Sequence, residues 1–185
     1  MKKIFISLML IIGMLFTLLG CNNSNSNIEK PNFETQKIKE GIFQCEIPST
    51  WEKTDISQID GQVVFTVKDG VLLSKSVSNI SLIANKTDSN APSMSEAETQ
   101  IKKQLESNFK DNVSDITFDE IKAPCGKVCV AKYKLNIDDN NMNLTLYYPL
   151  VDKYLVTITS TDVNDDTSPS PDEVAKHIIN TLKLK

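Results

Sequence analysis

Short runs in which apolar and polar residues alternate occur along the chain, and such runs predict half-buried β-strands. In "GIFQCEIP" the apolar positions are Phe43, Cys45 and Ile47, and Pro48 follows them. Because proline has no N–H to give to a strand ladder, Pro48 is expected to end this strand.

The next two runs predict further strands. "QVVFTVKDGVLL" carries two β-rich runs around Asp69-Gly70, and such a dipeptide between strands favours a hairpin. In "NISLIAN" the side chains of Ile80, Leu82 and Ala84 are expected on one face.

Four strands are predicted in the second half of the chain, in "DITFDEIK", "KVCVAKYKLNI", "MNLTLYYP" and "KYLVTITST". In the first, Ile116, Phe118 and Ile121 are expected on one face, with a slip of one residue in the alternation before Ile121. The core face of the second is expected to carry Cys129, Ala131, Tyr133, Leu135 and Ile137, opposite Val128, Val130 and Lys132. The third places four apolar side chains on one face, namely Met142, Leu144, Leu146 and Tyr148.

Two segments have the periodicity of amphipathic helices. The first is predicted to start with a capping box of Ser95 and Glu98. Its apolar stripe is expected to consist of Ala97, Ile101, Leu105 and Phe109.

The second helix has a start signal of Ser170, Pro171 and Glu173, which combines an N-cap, an N1 proline and a capping-box acid. Its stripe is expected to consist of Val174, Ile178, Ile179 and Leu182.

The predicted order is strands, one helix, four strands and a second helix, with no internal repeat and no second domain boundary. This order indicates the α+β class, a mostly antiparallel β-sheet covered by helices.

These segments resemble the PsbP family. "GIFQCEIPSTWEKTD", with Pro48 and Trp51, is similar to the opening of PsbP-like domains. The helix "MSEAETQIKKQLESNF", the strand "APCGKVCVAKYKL", the hairpin "YYPLVDKYLVTITST" and the ending "IINTLKLK" fit as well, so the resemblance covers residues 33–185.

The resemblance implies the α/β/α sandwich shared by PsbP, the yeast Ran-binding Mog protein and the bacterial lipoprotein DcrB. Members of that superfamily are mostly non-catalytic binders and assembly factors. No position of this chain matches metal ligands of the photosystem members, so no cofactor is expected.

The N-terminus has the basic and apolar regions of a secretory signal, Lys2 and Lys3 followed by "IFISLMLIIGMLFTLLG". A retained helix is the alternative, although this run is short for a membrane span. Leu18-Leu19-Gly20-Cys21 resembles the bacterial lipobox. The resemblance implies a signal peptide at 1–20 and lipidation of Cys21 with acyl chains such as palmitate. The polar composition after Cys21 predicts a flexible tether at 21–32, and the PsbP-like domain is expected at 33–185.

Charge narrows the choice of partners. The formal net charge of −4 becomes −6 once Lys2 and Lys3 are removed, and every basic residue is a lysine. Without a basic patch, nucleic acid is not an expected partner, and without arginine a phosphate site is disfavoured.

The composition resembles Gram-positive lipoproteins of AT-rich genomes. We therefore expect a location on the extracytoplasmic face of the cell membrane, with the lipid on Cys21 as membrane contact and an envelope protein as partner.

His177 is the single histidine of the chain, so Ser-His or Cys-His chemistry would require it. It is expected to be a partly exposed residue flanking the stripe of the last helix. No G-x-S-x-G nucleophile motif accompanies it.

Three cysteines remain after Cys21, namely Cys45, Cys125 and Cys129, so an exported protein can form at most one disulfide among them. Cys125 and Cys129 would lie about 13 Å apart along a strand, so pairing them would need a bend at Gly126. A bridge from Cys45 to either one, or three buried reduced thiols, are the alternatives. No motif predicts a metal site, and the acidic clusters "NIDDNN" and "DVNDDTSPSPDE" lack the calcium-loop order.

Trp51 is either part of a ligand groove or a plug at the edge of the core. The expected function is a non-catalytic binding or assembly module for a protein or small envelope ligand, with Trp51 as the binding residue. One alternative is a hydrolase or thiol redox enzyme that uses His177 or Cys125 and Cys129. Another is a structural or stress-response surface lipoprotein without a specific ligand.

Overall fold

The computed structural model describes residues 31–54, 61–68, 77–137 and 140–185. Within these ranges the chain forms ten β-strands, two α-helices and one turn of 3-10 helix at Lys110–Asn112. The strands are β1 (Thr35–Glu40), β2 (Phe43–Pro48), β3 (Trp51–Thr54), β4 (Gln62–Val67), β5 (Asn79–Lys86), β6 (Val113–Ala123), β7 (Gly126–Ile137), β8 (Asn140–Pro149), β9 (Tyr154–Asp162) and β10 (Lys183–Leu184). The helices are α1 (Met94–Phe109) and α2 (Pro171–Thr181). The predicted signal, Cys21 and the turn at Asp69-Gly70 lie outside the described residues.

The strands form two sheets. One has seven strands in the order β3-β4-β5-β9-β8-β7-β6, and the other has three in the order β1-β2-β10. Every strand pair is antiparallel. The predicted α+β class and the mostly antiparallel sheet are therefore confirmed.

One core lies between α1 and the seven-stranded sheet. It contains the buried stripe of α1, formed by Ala97, Ile101 and Leu105, and Phe109 packs beside it partly buried. The facing residues on β7 and β8 are Cys129, Ala131, Tyr133, Leu135, Leu144, Leu146 and Tyr148. Because each fully buried aliphatic side chain contributes about 1.5–3 kcal/mol, this contact fixes α1 on the sheet.

The second core lies on the opposite face of the same sheet. There α2 and β2 pack on alternate residues of β4, β5 and β9, such as Phe65, Leu82 and Ile158. The predicted faces of β2 and β5 are confirmed, because Phe43 and Ile80 and their neighbours two positions along belong to this core.

The prediction of a single core face for β7 is wrong. Val128 and Val130 are as buried as Cys129, but they lie in the core beside α2. The predicted slip in β6 before Ile121 is also wrong. Phe118 pairs with Ala131 on the α1 side, whereas Ile121 pairs with Val128 on the α2 side. Both errors have one cause, since this part of the sheet is covered on both faces.

The start of α1 differs from the prediction by two residues. The N-cap is Ser93, whose hydroxyl accepts a hydrogen bond from the Glu96 N–H while the Glu96 carboxylate accepts from the Ser93 N–H. The sequence matches the capping-box pattern twice in overlapping positions. The earlier start adds helical residues and lets Met94 pack against the core.

The start of α2 is as predicted. Ser170 is the N-cap, Pro171 opens the helix, and Glu173 completes the capping box. Val174, Ile178, Ile179 and Leu182 are all buried.

Three strands were not predicted. β1 has one partly buried apolar residue that packs on the core, Ile38, and its remaining side chains are polar. β3 and β10 have four and two residues. The small sheet that β1 and β10 form with β2 contributes Glu46 to the first site described below.

Candidate functional site

His177 lies on α2 with 6% of its side chain exposed, so the prediction of a partly exposed residue is wrong. Two groups distant in sequence cover its ring. Phe33 packs edge-on against it with ring centroids 5.4 Å apart, and Glu46 of β2 approaches from the small sheet. The periodicity of α2 alone contains no information about either neighbour.

The His177 ring and the Glu46 carboxylate are close but not hydrogen-bonded. The distance from Nε2 to Oε2 is 3.6 Å, which is too long for a hydrogen bond, and Nε2 has no other partner. The Glu46 carboxylate accepts a hydrogen bond from Thr35 Oγ1 at 3.2 Å. The Glu46 N–H donates to Thr181 Oγ1 at 3.0 Å, and this bond ties β2 to the end of α2.

Burial lowers the pKa of His177, and the nearby Glu46 carboxylate opposes this effect without cancelling it. The neutral imidazole is therefore favoured at neutral pH. A nucleophile activated by this ring would have to hydrogen-bond to it. Thr181 Oγ1, the hydroxyl one turn along α2, instead donates to the backbone carbonyl of His177.

Cys45, Cys125 and Cys129 are free thiols in the structure. Cys45 and Cys129 are buried in different cores, on opposite faces of the seven-stranded sheet, whereas Cys125 lies half-buried in the β6–β7 turn. Burial raises the pKa of Cys45 to about 12 and that of Cys125 and Cys129 to about 11. The thiolate is the reactive form of cysteine, and the raised pKa values keep these thiols protonated at neutral pH.

Trp51 is fully buried at the start of β3, as the edge-plug interpretation predicts. Its carbonyl oxygen accepts a 2.6 Å hydrogen bond from Gln36 Nε2 of β1, while its indole Nε1 has no hydrogen-bond partner. The indole therefore does not form part of an exposed binding surface in this structure.

A polar network that the sequence did not predict joins β8 to α2. Tyr147 OH donates to Asp172 Oδ1 at 2.6 Å, and Lys176 Nζ lies 2.8 Å from Asp172 Oδ2. Burial raises the pKa of Asp172, but the bonds from Lys176 and Tyr147 outweigh it, so that the pKa is lowered. The one available sequence signal was that Tyr147 alternates with the predicted core face of β8.

Part of the seven-stranded sheet remains exposed on the side of α2. We call it the open face and define it by its exposed side chains on β6 and β7, which are Asp115, Thr117, Asp119, Lys132 and Lys134. Lys134 pairs with Asp115 at 2.8 Å, and Lys132 pairs with Asp119 at 3.7 Å. The open face thus carries two acidic and two basic groups on the paired strands β6 and β7.

In the ranges that the structure describes, no cluster of three His, Cys, Asp or Glu residues could hold a metal ion. In the same ranges no helix is both long enough and apolar enough to span a membrane.

No protein-family model matches the sequence, and no curated protein matches it either. Among solved structures, the fold is similar to the solution structure of cyanobacterial PsbP (CyanoP) from Synechocystis sp. PCC 6803. The two share 12% sequence identity with a TM-score of 0.56, over 87% of this chain and 98% of CyanoP. This likeness shows a PsbP-like fold.

A second similar structure is a crystal structure from Bacteroides thetaiotaomicron VPI-5482 at 1.50 Å resolution. It shares 17% identity with a TM-score of 0.49 over 77% of this chain. The chain spans 45% of the length of that protein.

Proposed function

We propose that this chain is a membrane-anchored envelope lipoprotein whose PsbP-like domain binds a protein partner without catalysing a reaction. The open face is the observation that carries the binding part of this proposal. The sequence around Cys21 carries the anchoring part.

The anchor follows from Leu18-Leu19-Gly20-Cys21 after a basic and apolar leader. Removal of residues 1–20 makes Cys21 the N-terminus, and two or more acyl chains on it give stable membrane attachment. The polar residues 22–27 then separate the domain from the extracytoplasmic face of the membrane, because they have too little apolar surface to fold.

The domain is proposed to be an α/β/α sandwich of the PsbP type. The packing of α1 on one face of the seven-stranded sheet and of α2 on the other supports this arrangement. The small sheet shares the second face with α2, since β2 contributes Phe43, Cys45 and Ile47 to that core.

The chemistry of the open face favours a protein as the partner. Its two Asp side chains lie on β6 and its two Lys side chains lie on the neighbouring β7, and such a pattern is complementary to another protein surface that carries paired charges. A nucleic acid or an anionic membrane would need an excess of positive charge, which the open face does not have. The exposed ion pairs contribute little to folding, so they are free to exchange partners at an interface.

The absence of catalysis is supported by the environments of the candidate groups. The His177 ring is buried between Phe33 and Glu46, and burial raises the pKa of each of the three thiols.

The binding proposal can be tested by photo-crosslinking in intact cells. A photo-reactive residue replaces Thr117 on the open face or, as a matched control, the exposed Thr99 on α1. We expect Thr117 to give an adduct of one defined mass that Thr99 does not give. Lys132→Glu with Lys134→Glu should abolish this adduct, whereas Lys102→Glu with Lys103→Glu on α1 should leave it intact.

Equal adducts from both positions would contradict binding through the open face. Persistence of the Thr117 adduct after reversal of Lys132 and Lys134 would contradict it as well.

A further inference from the structure

Three side chains meet where the start of the described chain lies beside the end of α2. They are Phe33, just before β1, Glu46 on β2 and His177 on α2, and we call them the clasp. We propose that the clasp is a pH-sensitive contact that holds residues 33–40 on the domain at neutral pH and releases them when His177 takes up a proton.

The geometry of the clasp suits a neutral ring and not a charged one. The His177 side chain is 6% exposed, and its Nε2 has no hydrogen-bond partner. The nearest carboxylate oxygen, Glu46 Oε2, is 3.6 Å away and already accepts from Thr35. A proton on Nε2 would therefore place a charge in a buried position with no hydrogen bond at that nitrogen, and its nearest counter-charge would be the Glu46 carboxylate at 3.6 Å. Burying a charge without a hydrogen bond is costly.

The charged groups on the segments packed around the ring are Glu34 beside Phe33, Lys37, Lys39 and Glu40 on β1, Glu46 on β2, Lys183 on β10, and Asp172, Glu173 and Lys176 on α2. Of these, Glu46 is the group within ion-pair distance of the ring. On α2, Lys176 pairs with Asp172, and Glu173 is engaged by the Ser170 cap. Desolvation of the ring lowers the pKa of His177, and the Glu46 carboxylate raises it. The effect of desolvation is the larger, so the pKa is lowered.

The direction of the pH effect follows from linkage. Release of residues 33–40 exposes the imidazole and returns its pKa toward the ordinary value of 6.5. The released form then binds more protons than the closed form, so release becomes more favourable as the pH falls below 6.5. The released-to-closed ratio stops rising once the pH is below the His177 pKa of the closed form. For each unit by which that pKa lies below the pKa of the released form, the total rise in the ratio is tenfold.

β1 is a segment that can open without unfolding the domain. It is an edge strand that pairs with β2 alone, and Ile38 is its one apolar side chain. Side-chain hydrogen bonds join β1 to β3 of the seven-stranded sheet: Gln36 Nε2 donates to the Trp51 carbonyl, and the exposed Lys53 Nζ donates to Glu40 Oε2, each at 2.6 Å. Segments with so few buried apolar contacts open at low free-energy cost.

Release would lengthen the link between domain and membrane, a consequence that rests on the proposed anchor at Cys21. The segment from Phe33 to Glu40 spans at most about 26 Å when extended. Acidification would therefore extend the reach of the domain from the membrane surface.

The release itself can be measured by hydrogen exchange of the full chain between about pH 8 and about pH 5, corrected for the intrinsic exchange rate. We expect the opening of β1 amides to increase several-fold as the pH falls, while β5 and β9 in the centre of the large sheet remain protected. Trp51 is the single tryptophan, and its emission should shift to longer wavelength with the same midpoint. Neither readout depends on the lipid, so failure of this experiment is distinct from failure of the anchor.

Variants identify the group responsible. His177→Gln should remove the pH dependence of β1 opening. Glu46→Gln should increase the opening of β1 at low pH further, because the carboxylate that favours the charged His177 ring is gone. Glu52→Gln, at an exposed position on β3, should behave like the wild type.

Persistence of the pH dependence in His177→Gln would overturn the proposal, as would equal β1 protection across the pH range in the wild type. The ring can also be titrated directly by NMR in the wild type, so the test does not require any variant to fold. A pKa of His177 at or above 6.5 in the folded protein would equally overturn it.

Discussion

At the residue scale, two buried tyrosines have opposite relations to their surroundings. Tyr147 OH donates to the Asp172 carboxylate at 2.6 Å, whereas the buried hydroxyl of Tyr133 has no hydrogen-bond partner. A hydrogen bond to a charged group stabilises the fold, while a buried hydroxyl without a partner costs free energy. The same deletion of one oxygen should therefore have different effects at the two positions.

We expect Tyr147→Phe to lower the free energy of unfolding by about 1–2 kcal/mol at neutral pH. Tyr133→Phe should leave it unchanged or raise it slightly, since no hydrogen bond is lost. Denaturant unfolding of both variants and the wild type measures the difference. Equal destabilisation by the two variants would contradict the role assigned to the Asp172 contact.

The contact of Tyr147 with Asp172 also makes stability depend on pH. Because the pKa of Asp172 is lowered from 3.8 in the folded state, its contribution is complete above that value and is lost as the pH falls through the folded pKa. In Tyr147→Phe the folded pKa rises toward the unfolded one, so the stability lost below pH 3.8 should be smaller than in the wild type.

Residue burial was predictable only where local pattern decides it. The inward positions of Ile101 and Ile178 follow from helical periodicity, and both are fully buried. His177 was expected to be partly exposed, because its neighbours on α2 do not reveal that Phe33 and Glu46 cover it. Those two residues precede it by more than 130 positions in the chain, and only the tertiary fold brings them together.

At the element scale, the start of α1 shows which of two overlapping capping-box patterns in the sequence forms the helix cap. The sequence predicted Ser95 as the cap, and the structure has Ser93 with Glu96. Ser95 lies one residue inside the helix start, where its carbonyl accepts a hydrogen bond from Thr99.

The two serines can be compared directly. Ser93→Ala should cost about 1 kcal/mol of unfolding free energy, because the Glu96 N–H loses the Ser93 hydroxyl that accepts its hydrogen bond. Ser95→Ala should have little effect, since alanine is the better helix former in the first turn. Thermal or denaturant unfolding decides between them, and a larger loss in Ser95→Ala would place the cap where the sequence pattern alone placed it.

Element prediction succeeded for α2 and failed for β1 for physical reasons. The start of α2 is determined by Ser170, Pro171 and Glu173, which act within one turn. β1 has no comparable local signal, because its strand form depends on the pairing of residues 35–40 with β2.

At the scale of the whole molecule, different elements cover the two faces of the large sheet, and the open face on β6 and β7 stays exposed. α1 covers one face, while α2 and β2 cover the other. The sequence predicted the α+β class and the two helices from periodicity. It did not predict the separate small sheet, because the two residues of β10 and the polar β1 acquire their positions only through β2.

The proposed whole-molecule arrangement joins this domain to a lipid on Cys21. Labelling of cells with palmitate, followed by membrane fractionation, tests the anchor for the wild type and Cys21→Ser. Cys125→Ser is the matched control, because it removes a half-buried thiol from the folded domain and leaves the lipobox intact.

The account predicts palmitate label and membrane retention for the wild type and for Cys125→Ser, with both lost in Cys21→Ser. Membrane-retained, palmitate-labelled Cys21→Ser protein would contradict it.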